Sequence, residues 1–239
     1  MAHSHRPQAG RSAHLVAVLT ATIGLLFGLT AIPAGASKAS KVAQAKKLLL
    51  VLSDLPRGWS QQKGSSDSGS NAFPGAKALA ACIGVPASLI ESNPPQANGP
   101  TYQNKGDSLE MQDGVSVFSS AKVAKAELAA VGNAKAPACT ATAMNSPLFR
   151  QAILSGAGKG SKIGTITASA IDPATFLPGS AGFNLDIPLT VQGITVNIHF
   201  GVLYFVKGAL GQQIQFTSYG ITFPTALAHS LAVVAQHRL

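Results

Sequence analysis

From Ile194 the chain alternates strictly. Ile194, Val196, Ile198, Phe200, Val202, Tyr204 and Val206 fall on one side of an extended backbone. Successive side chains of a strand point to opposite faces, so a period of two built from β-branched and aromatic residues reads as a strand. The other side carries Thr195, Asn197, His199 and Gly201, then turns apolar at Leu203 and Phe205. Such a strand starts half-buried and ends covered on both faces. Phe183, Leu185, Ile187, Leu189 and Val191 alternate before it, and Gln192-Gly193 is a two-residue connection whose glycine supplies positive φ. After it, Lys207–Gly211 predicts a turn. Leu210, Gln212, Ile214, Phe216 and Ser218 then continue the alternation, with Gln213, Gln215 and Thr217 opposite. The stretch is expected to form an antiparallel three-strand meander, with Phe200 and Phe216 near one another on its buried face. Pro188 cannot donate to a ladder, so the first strand is expected at an edge or bulged there.

The chain opens differently. Arg6 and Arg11 precede an apolar segment from Leu15 to Ile32, and Ala34 and Ala36 provide small residues at A-x-A spacing. That pattern predicts a secretory signal over residues 1–36, cleaved after Ala36. The alternative is an uncleaved N-terminal membrane anchor, since the apolar run approaches the roughly 18 residues that spanning needs. Thr20, Thr22, Gly24, Gly28 and Thr30 dilute it. With no cysteine at the cleavage site, a lipoprotein is excluded. Residues 37–239 are long enough for one domain with a sizeable core.

This exported part carries 16 basic residues against 9 acidic, net +7, and the basic ones are scattered. No arginine cluster interleaves with aromatics, so nucleic-acid binding is not expected. Anionic envelope polymers or lipid head groups remain candidates for weak attraction. Membrane contact is expected only through the signal segment, if that is retained. Cys82 and Cys139 both lie in the exported part, where the simplest outcome is one disulfide. It would close a loop of about 57 residues, worth roughly 4 kcal/mol of denatured-chain entropy. Neither C-x-x-C spacing nor nearby histidines support a metal or redox pair.

Along the rest of the chain, Val42, Ala45, Leu49 and Leu52 predict a helix over 38–52, ended by Pro56 and Gly58. Trp59 is read as an anchor for that helix rather than a sugar-stacking platform. Residues 61–75 and 92–100 predict loops, and 76–84 a short helix with Cys82. Leu109, Met111, Val115 and Val117 predict a strand, with a bulge or turn at Asp113-Gly114. Ser119 is the expected cap of a helix over 120–133. A short helix at 147–154, a strand within 162–171 and a C-terminal helix capped by Thr222 complete the reading. Strands in runs with helices outside them indicate an α+β fold with an antiparallel sheet.

Three local patterns add up to a resemblance. They are Leu48-Leu49-Leu50-x-Leu52-Ser53-Asp54-Leu55-Pro56-x-Gly58-Trp59, then Cys82 near Gly84-Val85-Pro86, and Phe118-Ser119-Ser120-Ala121 opening a helix with Cys139 beyond it. The chain resembles the actinobacterial secreted sensor-domain family typified by the extracellular domain of PknH-type receptor kinases. It is also similar to envelope proteins of the Mog1/PsbP-like α+β fold. The resemblance implies a ligand-binding or sensing role in the cell envelope and carries over no functional residue. Those sensor domains typically hold more cysteines, and this chain has neither a kinase domain nor a lipobox.

No catalytic, cofactor or metal motif is present. Gly156-Ala157-Gly158-Lys159-Gly160-Ser161 lacks the phosphate-loop spacing and reads as a flexible turn. The histidines of the exported part are His199, His229 and His237, and no carboxylate partner for His199 is identifiable. The expected function is an envelope binding or sensing module for a small or amphipathic ligand, with no cofactor. The candidate ligand-binding residues are Asn197, His199, Gln213 and Gln215, read as the polar face of the meander. The alternatives are a hydrolase of an envelope polymer or ester, with His199 or Asp186 involved, and an accessory protein without a pocket.

Overall fold

The structure, a computed structural model, describes residues 37–62, 75–90, 93–104, 106, 108–172, 177–221 and 224–239. The expected signal segment, most of the serine- and glycine-rich stretch after Gln62, and Thr222 lie outside them.

Among the described residues, nine antiparallel strands form one sheet in the order β1-β3-β4-β9-β8-β7-β5, with β2 on β4 and β6 on β7. They are β1 Trp59–Gln61, β2 Gln96–Asn98, β3 Tyr102–Asn104, β4 Leu109–Val117, β5 Lys162–Ile163, β6 Thr167–Ala170, β7 Ser180–Val191, β8 Ile194–Lys207 and β9 Leu210–Tyr219. The α-helices among the described residues are α1 Lys38–Lys46, α2 Ala76–Ile83, α3 Ala87–Ile90, α4 Ala121–Val131, α5 Ala136–Met144, α6 Pro147–Ala157 and α7 Thr225–Arg238. The fold is α+β, as the pattern of runs predicts.

The meander is the centre of the sheet. Gln192 and Gly193 both have positive φ, 53° and 81°, as a two-residue hairpin turn requires. The β7–β8 register therefore pairs Val191 with Ile194 and continues to Ser180 with Phe205. Pro188 sits within this ladder and not at the sheet's edge. Its carbonyl accepts from the Gly164 N–H, so its own nitrogen faces the flank where β5 and β6 break. That break also splits the strand expected within 162–171. Asn145 brackets Ile166, accepting from its N–H at 3.0 Å and donating to its carbonyl at 2.7 Å.

The β8–β9 connection overturns one expectation. The turn is the two residues between Lys207 and Leu210, which pair with each other. Phe200 then pairs with Thr217, and Phe216 with Gly201. Paired residues share a face and one step along a strand changes face, so Phe200 and Phe216 lie on opposite faces. Both are buried.

Each face has its own cover. On one, α2 to α6 pack over Phe183, Leu185, Phe200 and Val202. Cys82 and Cys139 are bonded, Cα–Cα 5.7 Å, and join α2 to α5 in this layer. On the other, α7 packs Ala228, Leu231 and Ala232 over Leu203, Phe205, Ile214 and Phe216. The N-terminal segment joins that second face. Helix α1 stops at Lys46 instead of reaching Leu52, because Leu50 leaves it to be buried and its N–H donates to Asp113 at 2.9 Å. Trp59 is buried in the same cluster as Leu50 and Leu55, whereas α1, which it was expected to anchor, buries Ala45 in a separate cluster with Ala97, Val115 and Val117. Arg238, in the last turn of α7, holds Asp54 with both contacts at 2.7 Å and the Leu49 carbonyl at 2.8 Å. Asp113 and Gly114 do not bulge; they stay in register with Ile214 and Gln213. Helix α4 begins one residue later than expected, with Ser120 as the cap that accepts from the Val123 N–H.

Candidate functional site

The same register decides where the nominated residues go. Asn197 and His199 share a face with Leu203 and Phe205, the face that α7 covers further along. Gln213 and Gln215 pair with Tyr204 and Val202, on the face of the disulfide-bonded helices. The four side chains therefore form two separate pairs. The sheet between them is one backbone thick, but no single ligand surface contains all four.

His199 does have a carboxylate partner. Asp186 is its register neighbour on β7, and Asp186 Oδ1 is hydrogen-bonded to His199 Nδ1. The contact leaves Nε2 as the open imidazole nitrogen, the arrangement in which a carboxylate fixes the tautomer of a histidine. Ser218 is the neighbour on the other side, on β9. Its hydroxyl is buried and donates to the Ile221 carbonyl at 2.8 Å, so it is committed elsewhere. The row Asp186–His199–Ser218 thus has the residue types of a catalytic triad without a nucleophile bonded to the base. Counting back from the Gln192-Gly193 turn places Asp186 opposite His199, so this pair was legible in the sequence.

The other pair belongs to a larger surface. Helices α2 to α6 cover the β7–β8 half of their face, and the half over β1, β3, β4 and β9 carries amides. Gln213 and Gln215 on β9 are flanked by Gln112 on β4 and Gln103 on β3, all half-buried. Gln96 and Asn98 extend the surface along β2. Gly114 makes room there: a Cβ on it would lie 3.0 Å from Asn98 Oδ1. The sequence reading missed these because β1, β2 and β3 are three-residue polar strands with no apolar alternation to betray them.

One acid lies at the inner end of the amide surface. Glu110 on β4 is 7% exposed and accepts from Gln62 Nε2 at 2.6 Å through Oε1. Its Oε2 is buried without a hydrogen-bond partner, and so is the hydroxyl of Tyr219. Burial pushes the Glu110 carboxyl above its ordinary range, against the bond from Gln62. Burial and then Glu110 push the Tyr219 phenol well above the tyrosine range. A shallow recess of about 10 Å³, room for roughly one water-sized group, lies here, lined by Thr101, Glu110, Met111, Gln112, Gln215 and Thr217. Enclosed small-molecule pockets run to about 300–1,000 Å³, so a ligand here would lie on the sheet and send one group into the recess.

A second buried pair borders the surface. Glu127 of α4 and Tyr204 of β8 each hold a buried oxygen without a partner. Gly211 is fitted to that tyrosine, because a Cβ on it would lie 2.4 Å from the Tyr204 hydroxyl. Among the described residues no group of three or more histidines, cysteines or acids is placed to hold a metal ion. Nor, among them, is any helix long and apolar enough to cross a membrane.

No family model matches the chain. No curated protein matches it either. Among solved structures, the extracellular domain of PknH from Mycobacterium tuberculosis is similar over 81% of this chain and 94% of that one, with 11% sequence identity and a TM-score of 0.43. A likeness of that size carries no residue of a site across.

Proposed function

We propose that the protein is an extracytoplasmic binding module that takes its ligand on the amide-lined half of the sheet. One observation carries this reading: Glu110 Oε2 is buried and unpaired, and Glu110 lines a small recess in the amide surface. An unsatisfied buried polar group costs about 1–3 kcal/mol, and a ligand that reaches it recovers that loss. The surrounding amides supply directed donors and acceptors, the small set of polar groups that fixes orientation in binding sites. The disulfide fits an oxidising compartment. In this reading residues 1–36 are the leader, and N-terminal sequencing of the secreted protein starts at Ser37; recovery of only full-length chain in membranes would overturn that.

The binding test is native mass spectrometry of protein from a secreting host. A co-purified species is expected with the wild type, at least tenfold depleted in Glu110→Ala and retained in His199→Ala. Loss in His199→Ala with retention in Glu110→Ala would move the site to the other face. That outcome would favour a second reading, hydrolysis of an envelope ester or polymer with His199 Nε2 as general base for water. The Asp186–His199 bond is the observation behind it.

A further inference from the structure

We propose that the ligand of the amide surface is a neutral, hydroxyl-rich chain, a short oligosaccharide; this rests on the binding reading above and names its ligand class. The argument begins with charge. On the described strands β1 to β4 and β9, the side of the sheet carrying Gln103, Gln112, Gln213 and Gln215 holds no lysine, arginine or aspartate. Its acid, Glu110, is buried at the inner end. An anionic ligand would find no counter-charge there and would be repelled by Glu110. Molecules recognised through charge are held by ion pairs or forked contacts, which these side chains cannot make.

An apolar ligand fits no better. Covering half-buried amides with hydrocarbon strips them of water without replacing its hydrogen bonds, at a cost for each group. What an amide side chain offers is an acceptor oxygen and two N–H donors on one rigid plane. A hydroxyl also donates and accepts. A row of hydroxyls can therefore satisfy a row of amides in either sense, without a net charge on either side.

Geometry points the same way. Residues two apart on a strand are about 6.6 Å apart, and neighbouring strands about 4.8 Å. Gln213, Gln215 and Thr217 along β9, with Glu110 and Gln112 beside them on β4, form a grid of polar groups about 13 Å long. That is a bed for several linked rings and not a cage for one small molecule. Glu110 is the terminal acceptor. Oε1 already takes the Gln62 amide, which fixes the carboxylate plane and leaves Oε2 for a ligand hydroxyl. An extended peptide would more readily add to a free strand edge through its backbone than lie across a face of side chains.

The test reads the amides themselves. Protein from a secreting host, labelled with nitrogen-15, is titrated with maltotriose, mannotriose and tri-N-acetylchitotriose. At least one is expected to shift the side-chain NH2 signals of Gln112, Gln213 and Gln215 saturably, with Kd below about 1 mM. Glu110→Gln and Gln215→Ala are each expected to weaken that binding at least tenfold. His199→Ala, on the other face, leaves it unchanged and shows that the fold is intact. A hyaluronan tetrasaccharide and an uncharged decapeptide are the contrasting probes. If either moves these amides and no neutral trisaccharide does, the surface binds but the assignment of a neutral oligosaccharide is wrong. If no probe moves them and no co-purified species depends on Glu110, both the assignment and the binding reading fall.

Discussion

Phe200→Ala and Phe216→Ala are each expected to lower the unfolding free energy by about 3–5 kcal/mol, the usual loss when a buried phenylalanine is truncated and a cavity remains. Each ring is 1% exposed, so neither site has solvent to relax into. That loss approaches the whole stability of an ordinary domain, 5–15 kcal/mol. The two rings belong to different cores, one under the disulfide-bonded helices and one under α7. Their milder Phe→Leu versions should therefore combine additively within about 0.5 kcal/mol, as independent sites do. Rings packed on one face would couple more strongly. The neighbouring glutamines sharpen the test. Gln212 is fully buried and donates to Asp113 at 3.1 Å, so Gln212→Ala removes one of the hydrogen bonds on a buried carboxylate and is expected to cost about 1–3 kcal/mol. Gln213, one step along and half-buried on the amide surface, should cost under about 0.5 kcal/mol. Urea melts of the series read the register directly. A Gln213→Ala loss equal to that of Gln212→Ala would mean the strand is slipped by one residue.

Those two glutamines also show where the sequence stopped being legible. Alternation marks β7, β8 and β9 as strands because each buries apolar residues at period two. It does not say which face of one strand meets which face of the next. That depends on the parity of the turn. A two-residue turn after Lys207 pairs Phe200 with Thr217, whereas a turn of odd length would have set Phe200 and Phe216 on one face. Gln192-Gly193 was readable as a two-residue turn, and with it the Asp186–His199 neighbourhood could have been counted out. The amide surface was legible only in its β9 column, Gln213 and Gln215. Gln62, Gln103, Glu110 and Gln112 come from segments up to about 150 residues away, brought beside β9 by long-range pairing that no local pattern encodes. Helix α1 was overextended for a related reason. Leucines at 48–50 read as a helical face, but Leu50 is claimed by Asp113, 63 residues on.

Glu127→Gln is expected to stabilise the protein at neutral pH, by roughly 3 kcal/mol, and to flatten its stability profile between pH 5 and 8. Glu127 is 4% exposed, and its Oε2 has no hydrogen-bond partner. Burial pushes its carboxyl from 4.5 up to about 8. The native state therefore keeps a proton that the unfolded chain releases near its ordinary carboxylate value. A group raised in this way stabilises fully below the unfolded value, and that contribution is lost as pH climbs to the folded one. Each unit climbed within the window costs about 1.4 kcal/mol. By pH 7 most of the window has been crossed, which gives the figure above. Glutamine keeps the shape and never ionises, so its variant should match the wild type in acid and exceed it at pH 7. Asp113, pushed up to about 6 by burial against bonds from the Leu50 N–H and Gln212, and Glu110 titrate in both proteins. The difference between wild type and variant therefore isolates Glu127. Thermal or urea melts from pH 4.5 to 8.5 decide the matter. Parallel profiles, or a variant less stable at pH 7, would show that Glu127 is ionised and paired in the folded protein. The expected divergence instead makes this carboxyl a group held neutral against Tyr204 at the border of the amide surface, its cost offset elsewhere in the core.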